Sequence, residues 1–448
     1  MLGGLVFSGG VSVSAAPSWN YDAWTDGGVI YSAPAAADAY YPSMVYDKNG
    51  FGAGTPLYKM WYADGNGALF LVTSANGTIW GTPTTITGLT TAQHEQVLYS
   101  ASCFGVLPCT GATPKYRMWF WDLSANLYSI SSMATAVSVD GIAWTNKTSA
   151  TQNPALPLVT GVSPNWNDGT YGPVNVLYQP SATNTGTDPW DYSYTLYYDA
   201  TDGSHETTGL AYSTDGLYWN AYAGNAPVLN RSATGGSQAW HCISAAYGTI
   251  YKDYLGYHYF FSSKGKDDGA GGCATLSNFN AIGHAVSSDG KVWTKDASPI
   301  FQTSDGVAYR TDRIYTPSVI DDGSGTLRMY FSAKDLAGGP KKIGYATLPK
   351  PAFLHISESV VNGNGSTATA ANFTVHLKTA GADVADSPVA ATTSPGTLYA
   401  LAAGTYSLSQ NAVTNYSQSF GGACSASAVL ARFTGAPPWW AGRWVCGP

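Results

Sequence analysis

Charge is what this sequence has least of. Only 11% of its 448 residues are Asp, Glu, Lys or Arg, and glutamate occurs at three positions, Glu95, Glu206 and Glu358. Helical proteins place Glu and Lys freely on solvated faces, so this scarcity argues against helical bundles and coiled coils. The 21 basic and 28 acidic residues leave a net charge of -7 without a basic stripe, which argues against nucleic acid as a partner and suits a neutral polymer better. No stretch reaches the roughly 20 apolar residues a membrane-crossing helix needs, so no membrane span is expected. None of the six cysteines has the CxxC spacing of a zinc or redox site.

What the chain has instead is 31 Tyr, 15 Trp and 51 Gly, residues that suit pleated strands and tight turns. The expectation is an all-β protein. Cys103 and Cys109, Cys242 and Cys273, and Cys424 and Cys446 are near neighbours in sequence. Local pairing would give three disulfides, although spacing alone does not fix connectivity. Residues Leu2 to Ala16 form a weakly apolar run ending Ser14-Ala15-Ala16 before Pro17, as at a small-residue cleavage site but without a basic start. Residues 1–16 therefore read as a signal-peptide remnant, and the protein as secreted or cell-surface.

One segment recurs with its turn chemistry intact. Ser-x-Asp-Gly-x-x-Trp appears at Ser138 to Trp144, Ser213 to Trp219 and Ser287 to Trp293, and with Asn for Asp at Ser74 to Trp80. Asp-Gly and Asn-Gly suit the positive-φ positions of a two-residue hairpin. Around each copy the same strand signals return. Opening segments read Tyr41-Pro42-Ser43-Met44, Gln96-Val97-Leu98-Tyr99, Gly172-Pro173-Val174-Asn175, Cys242-Ile243-Ser244 and Thr316-Pro317-Ser318-Val319. Tyr-rich second strands follow, such as Tyr58 to Tyr62 and Tyr116 to Phe120. That pattern predicts five four-stranded units. The fifth lacks a Trp strand of its own, and Trp24 with Val29-Ile30-Tyr31 reads as the missing piece, closing the ring from the other end of the chain. The expectation is a five-bladed β-propeller over 17–350 followed by a small β-sandwich module over 351–448, where composition shifts to Ala, Thr, Ser and Gly.

In a propeller the first strands line the axis, and one side chain from each converges there. Tyr40, His94, Tyr171, Trp240 and Tyr315 precede the five opening segments. Their rings either stack on sugar faces or pack between blades. Asp38, Glu95, Asp168, His241, Asp312 and Arg313 are the polar residues of the same segments. Glu95 stands out in so glutamate-poor a chain, because burial beside aromatics would raise its pKa as a general acid requires; hydrogen bonding to a neighbouring blade is the plainer role. The aspartates could equally cap turns. No cofactor is called for, with a channel metal ion such as calcium as the alternative and His94 and His241 as its candidate ligands.

The segments Tyr41-Pro42-Ser43-Met44-Val45-Tyr46-Asp47 and Arg328-Met329-Tyr330-Phe331-Ser332-Ala333, with the Ser-x-Asp-Gly-x-x-Trp turns, resemble the five-bladed furanosidase-type glycoside hydrolases, the arabinanase, xylosidase and invertase-like superfamily. The resemblance spans about Trp24 to Leu348. It implies three carboxylates on the inner strands of the first three blades, acting as base or nucleophile, pKa tuner and general acid. Asp38, Glu95 and Asp168 are carried over to those places. Asp38 is followed by Ala39 where Pro is common in the family, and Glu95 replaces an aspartate. Tyr171-Gly172-Pro173 stands where Glu-Gly-Pro is often found, so Asp168 or Glu206 would substitute. Tyr40, His94, Tyr171, Trp240, His241, Tyr315, Asp312 and Arg313 would bind the sugar. The stretch Gly404 to Ser409, with Tyr416 to Phe420 and Cys424, resembles prealbumin-like modules of bacterial surface proteins. The leading reading is an exported, monomeric glycoside hydrolase acting on a neutral, furanose-containing polysaccharide or oligosaccharide. The competing one is a non-catalytic glycan-binding or adhesion protein of the cell surface.

Overall fold

The computed structural model describes residues 19–122, 133–149, 171–201, 205–232, 236–270, 272–274, 276, 278–336, 338–363, 365–417, 428–430 and 444–446. Among these the structure is all-β, and the helices are short 3-10 segments. The chain divides into two compact units, one of Tyr21–Asp322 with Thr326–Leu348, the other of Met1–Asn20, Gly323–Gly325 and Pro349–Pro448.

The first unit opens with β1 (Thr25–Tyr31). Group one is β2 (Tyr40–Tyr46), β3 (Tyr58–Ala63), β4 (Leu69–Ser74) and β5 (Thr84–Thr85). Group two is β6 (Ala92–Tyr99), β7 (Tyr116–Asp122), β8 (Met133–Ser138) and β9 (Trp144–Ser149). Group three is β10 (Tyr171–Tyr178), β11 (Tyr194–Thr201), β12 (Glu206–Ser213) and β13 (Asn220–Ala221). Group four is β14 (Ser244–Asp253), β15 (Gly256–Lys264) and β18 (Ala281–Ser287), the last flanked by β19 (Thr294–Lys295) and β20 (Phe301–Gln302). The short pair β16 (Lys266–Asp267) and β17 (Cys273–Ala274) lies in its connecting loop. Group five is β21 (Arg313–Asp321), β22 (Thr326–Lys334) and β23 (Lys342–Pro349), with β1 as its fourth strand. β1 pairs antiparallel with β23, Thr25 opposite Thr347 and Gly28 opposite Tyr345. Groups three and four are linked by one parallel pairing, Glu206 with Ser244.

The first strands touch in a closed round, β2 to β6 to β10 to β14 to β21 and back to β2. Polar side chains in these strands carry hydrogen bonds between groups. Ser43 Oγ accepts from Val97 N at 2.9 Å, Asn175 Oδ1 from Ile250 N at 3.2 Å, Thr249 Oγ1 from Val319 N at 3.2 Å, and Ser318 Oγ from Met44 N at 3.2 Å. Gln96 Oε1 accepts from Asn175 Nδ2 at 3.4 Å. Inner amides that pair with no strand on one side are thereby satisfied.

The Ser-x-Asp-Gly-x-x-Trp segments join the groups at their outer parts. In each, the Ser hydroxyl accepts from the Gly N–H, at 2.8 to 2.9 Å, and the Asp or Asn side chain accepts from the two following N–H groups. Only the glycine takes positive φ, between 71° and 86°. The expected two-residue hairpin with two left-handed positions is thus replaced by a side-chain-capped turn, because Asp supplies acceptors without leaving the right-handed half of φ space.

Each turn glycine carbonyl points at the preceding group. Trp61 Nε1 donates to Gly141 O at 2.9 Å, Trp119 Nε1 to Gly216 O at 2.9 Å, Tyr197 OH to Gly290 O at 2.6 Å, and Tyr330 OH to Gly77 O at 2.8 Å. A Cβ on Gly141 would sit 2.8 Å from the Trp61 ring, so glycine is required there both for φ and for space. The hydrophobic core fills these same seams, with clusters that draw on neighbouring groups, for example Trp61, Tyr116, Met118 and Trp144, and Trp119, Tyr194, Leu196 and Trp219.

The second unit contains β24 (Ala352–Ile356), β25 (Thr374–Thr379), β26 (Ala382–Asp383), β27 (Val389–Ala390), β28 (Thr397–Leu401), β29 (Gly404–Gln410), β30 (Ala428–Leu430) and β31 (Trp444–Cys446). They form two sheets, β28-β24-β31 and β26-β25-β29-β30 with β27 on β25. Leu354, Ile356 and Tyr399 of one sheet share a core with Val375, Leu377 and Leu408 of the other. Disulfides join Cys103 to Cys109 and Cys242 to Cys273. Cys424, the signal-like residues 1–16 and Asp168 lie outside the described residues.

Candidate functional site

All five first strands break register at the same depth, between Tyr40 and Ser43, Gln93 and Gln96, Pro173 and Asn175, Ala246 and Gly248, and Tyr315 and Ser318. Four carry a non-glycine residue with left-handed φ there: Tyr41 (58°), His94 (52°), Tyr247 (44°) and Thr316 (51°). Such residues cost of order 1–3 kcal/mol each and need support from their surroundings. At Tyr41, Tyr247 and Thr316 hydroxyls of the second strands give it. Ser332 Oγ accepts from Tyr41 N at 2.9 Å, and Ser262 Oγ accepts from Thr316 N at 2.6 Å while donating to Tyr247 O at 2.8 Å. Bulges re-aim side chains, and these turn rings toward the axis.

Beneath the rings is a narrow chamber of about 20 Å³, lined by residues of all five first strands including Tyr41, His94, Glu95, Val174, Tyr247 and Thr316. It is large enough for about one water molecule. Glu95 is 1% exposed, and among the described residues neither carboxyl oxygen has a hydrogen-bond partner. Burial pushes its pKa well up. His94 sits between the rings of Tyr41 and Tyr247, with centroids 3.7 and 4.4 Å away, and burial brings its pKa down to about 3.

The mouth above the chamber is richer in charge. Asp38 accepts from Lys341, from its backbone N at 2.8 Å and from Nζ at 2.9 Å. Although partial burial works the other way, these bonds and the Lys341 charge hold Asp38 below the usual carboxylate range. Lys341 Nζ also lies 3.8 Å from the Tyr40 ring centroid, and Tyr40 OH accepts from Gln93 Nε2 at 3.0 Å. Tyr315, 2% exposed, stacks on Phe279 at 6.0 Å and meets the Arg313 guanidinium at 5.6 Å.

On the third group a second acidic pair approaches the same rings. Asp199 near the end of β11 is buried, and burial together with the Glu206 charge pushes its pKa well up. Glu206, the first residue of β12, is raised by burial, opposed by hydrogen bonding to Ser244 and Tyr247 and by the Lys264 charge. The Tyr247 hydroxyl hydrogen-bonds Asp199.

Beside the mouth opens a cleft of about 590 Å³ whose lining includes Trp240, Lys266, Asn278, Asn280, Gln302 and Asp312, a size that suits a small ligand. Asn278 Nδ2 donates to Asp312 Oδ1 at 3.0 Å, and Arg313 donates to Asn278 Oδ1.

The expected residues therefore fall into three places. Glu95 and His94 line the chamber; Asp38, Tyr40, Arg313 and Tyr315 are at the mouth; Trp240 and Asp312 line the cleft. Tyr171 begins β10. His241 is buried, with Nδ1 accepting from Ser232 N at 3.1 Å, and burial brings its pKa down to about 4. Among the described residues neither His94 nor His241 belongs to a three-donor metal set. The opening segment of group four also differs from expectation. Its bulge is at Ala246 to Gly248 and its inter-group acceptor is Thr249, so Tyr247 holds the register position expected of Trp240. Residues 236–241 form a 3-10 segment instead, and Cys242 after them is tied to Cys273. Asp199, Tyr247 and Lys264 were not among the expected site residues. The signal for Asp199 was a lone acid inside the otherwise apolar strand Tyr194–Thr201.

No protein-family model matches the chain, and no curated protein matches it. Among solved structures it is similar to a glycosyl hydrolase from Bacteroides ovatus, at 14% identity and a TM-score of 0.44 over 76% of this chain and 92% of that one. It is similar to a thermostable family-43 glycoside hydrolase, at 14% identity and a TM-score of 0.45 over 71% and 90% of the two chains. An endo-arabinase from Bacteroides thetaiotaomicron matches at 14% identity and a TM-score of 0.42 over 71% and 97%.

Proposed function

We propose that the first unit is a five-bladed β-propeller and that the protein is an exported glycoside hydrolase acting on a neutral, furanose-containing polysaccharide or oligosaccharide. The closed round of first strands supports the architecture. The observation that carries the activity is a contrast among carboxyl groups: hydrogen bonds and the charge of Lys341 hold the Asp38 pKa down against partial burial, while burial raises that of Glu206. Glycoside hydrolysis needs one group of each kind. In this reading the sugar chain lies in the cleft beside Trp240, Asn278 and Asp312 and presents a linkage to the mouth, where Arg313 binds its hydroxyls beside the buried rings of Tyr40 and Tyr315. Glu206 gives its proton to the glycosidic oxygen as the carbon–oxygen bond breaks. Asp38 takes the proton of the attacking water, or attacks itself. Glu206 in turn raises the pKa of the buried Asp199, Glu95 sits beneath His94, and Asp168 is a further carboxylate the sequence offers. Two disulfides suit an oxidising compartment. The second unit, as a prealbumin-like sandwich, serves as a spacer.

Release of reducing ends from a panel of neutral polysaccharides tests this. Asp38→Asn and Glu206→Gln should each lower the rate by about 10²- to 10⁴-fold while binding to the same polysaccharide on an affinity gel persists. The rate should fall at low pH as Asp38 protonates and at higher pH as Glu206 ionises. If wild type binds a polysaccharide and releases nothing, the glycan-binding reading replaces this one.

A further inference from the structure

Away from the mouth, a chain of four side chains crosses group four and ends at the N-terminal segment. His258 of β15 places Nε2 3.1 Å from Asp253 Oδ1 and Nδ1 3.1 Å from His284 Nε2. His284 of β18 places Nδ1 2.5 Å from Asp296 Oδ2 and 3.9 Å from Asp22 Oδ1. Both histidines are buried. Tyr21 stacks on His258 with centroids 3.8 Å apart and donates its hydroxyl to the other oxygen of Asp253.

With both imidazoles neutral, proton placement along this chain follows from its Asp253 end. A nitrogen lone pair facing a carboxylate is repulsive, so His258 Nε2 carries a hydrogen and gives it to Asp253. Neutral His258 then has a bare Nδ1, which must accept, and His284 Nε2 is the donor. That leaves His284 Nδ1 as a lone pair facing two carboxylates. One added positive charge balances the chain, either as a proton on His258, which turns His284 Nδ1 into a donor to Asp296, or as a metal ion at His284 Nδ1 itself.

We propose that this centre is a divalent transition-metal ion held by His284 Nδ1, Asp296 and Asp22, whose donor atoms lie within 4.8 Å of one another. Imidazole in the donor set favours the zinc, nickel and copper class over calcium or magnesium. The His258–Asp253 pair behind it is the arrangement that fixes a metal-ligating histidine in one tautomer and orientation. The ion would tie residue 22 to strands over 260 positions later, beside the place where Trp24 packs edge-on against Phe260 and where Tyr309 and Arg310 bind Asp26. Its role is therefore structural, pinning the start of the unit at the seam between groups four and five.

The test uses chelator-treated, tag-free full-length protein titrated with Zn²⁺ by calorimetry and with Co²⁺ by visible absorption. The expected result is one ion per chain, a visible Co²⁺ band and a rise in Tm of several degrees on metal addition. Asp296→Asn and Asp22→Asn should each abolish the band, and His258→Ala should weaken affinity about 10- to 100-fold, with circular dichroism verifying that each variant is folded. Absence of binding at millimolar Zn²⁺ and Co²⁺ would overturn the proposal in favour of a proton. So would a band undiminished in the folded Asp296→Asn protein.

Discussion

Four of the five seams between groups are built alike, and the fifth is not. At four seams an aromatic residue of the second strand, Trp61, Trp119, Tyr197 or Tyr330, donates to a turn glycine carbonyl of the next group. A Trp after that turn then meets the same ring edge-on, as Trp144 meets Trp61 at 77° and Trp219 meets Trp119 at 68°. Between groups four and five the equivalent residue is Phe260, which has no donor, and group five has no such turn in its sequence. Trp24 still meets Phe260 edge-on, at 87°. The ring contact is thus kept where the hydrogen bond is lost. Burying a donor with no carbonyl to receive it would cost about 1–3 kcal/mol, so Phe is the residue this seam requires.

The largest effect is expected from removing a seam ring outright. Trp119→Ala should lower unfolding stability by about 3–5 kcal/mol, read from urea midpoints. Gly216→Ala comes next, at roughly 2–5 kcal/mol from backbone strain and overpacking together, because the new Cβ would lie 2.6 Å from Arg117 Nη1 and 3.0 Å from the Trp119 ring at a φ of +71°. Gly28→Ala, at a φ of +80° with nothing within 4 Å, should cost only about 1–2 kcal/mol. The sharpest test of the comparison is a pair of small changes. Trp119→Phe leaves the Gly216 carbonyl without its donor and should cost about 1–3 kcal/mol, whereas Phe260→Tyr should bring no gain; equal stability of Trp119→Phe and wild type would mean that the carbonyl bond contributes nothing.

The smallest effect is a slope and not a step. Burial holds Glu95 above its ordinary value, so the folded state is favoured below the unfolded carboxyl's pKa of about 4.3 and loses that advantage as pH rises through the folded value. Glu95→Gln should flatten the decline of the urea midpoint toward high pH. Asp38, held low, works in the other direction, its contribution fading as pH falls through the acid range.

The repeating seams were readable from sequence because their chemistry is local: a Ser, an Asp and a Gly within four positions specify a turn wherever they recur. The pairing of Trp24's strand with the last group was readable too, from the missing Trp strand at the far end. The site was less so. Asp38 and Glu95 stand out by residue type, but sequence gives no reason for Glu95 to line a narrow chamber and Asp38 to meet a lysine some 300 residues away. The left-handed backbones at Tyr41, Tyr247 and Thr316 carry no glycine to announce them, since hydroxyls on other strands hold them in place. Tyr247 was missed for that reason. Asp199 and Glu206 meet only once β11 and β12 are in register, and Asp22, His284 and Asp296 only once the whole unit has closed.

The pairing of β1 with β23 also sets an order of events at the ribosome. Thr25 leaves the exit tunnel first but meets Thr347 last, after about 320 further residues have been made, a delay of roughly 15–65 s at about 5–20 residues per second. Through that interval a nascent strand must stay uncommitted beside four growing sheets with open edges. Two consecutive glycines, Gly27 and Gly28, weaken its tendency to pair early. One of them is also the residue whose missing side chain lets the Tyr345 ring, 2.7 Å from where a Cβ would stand, receive it at the end.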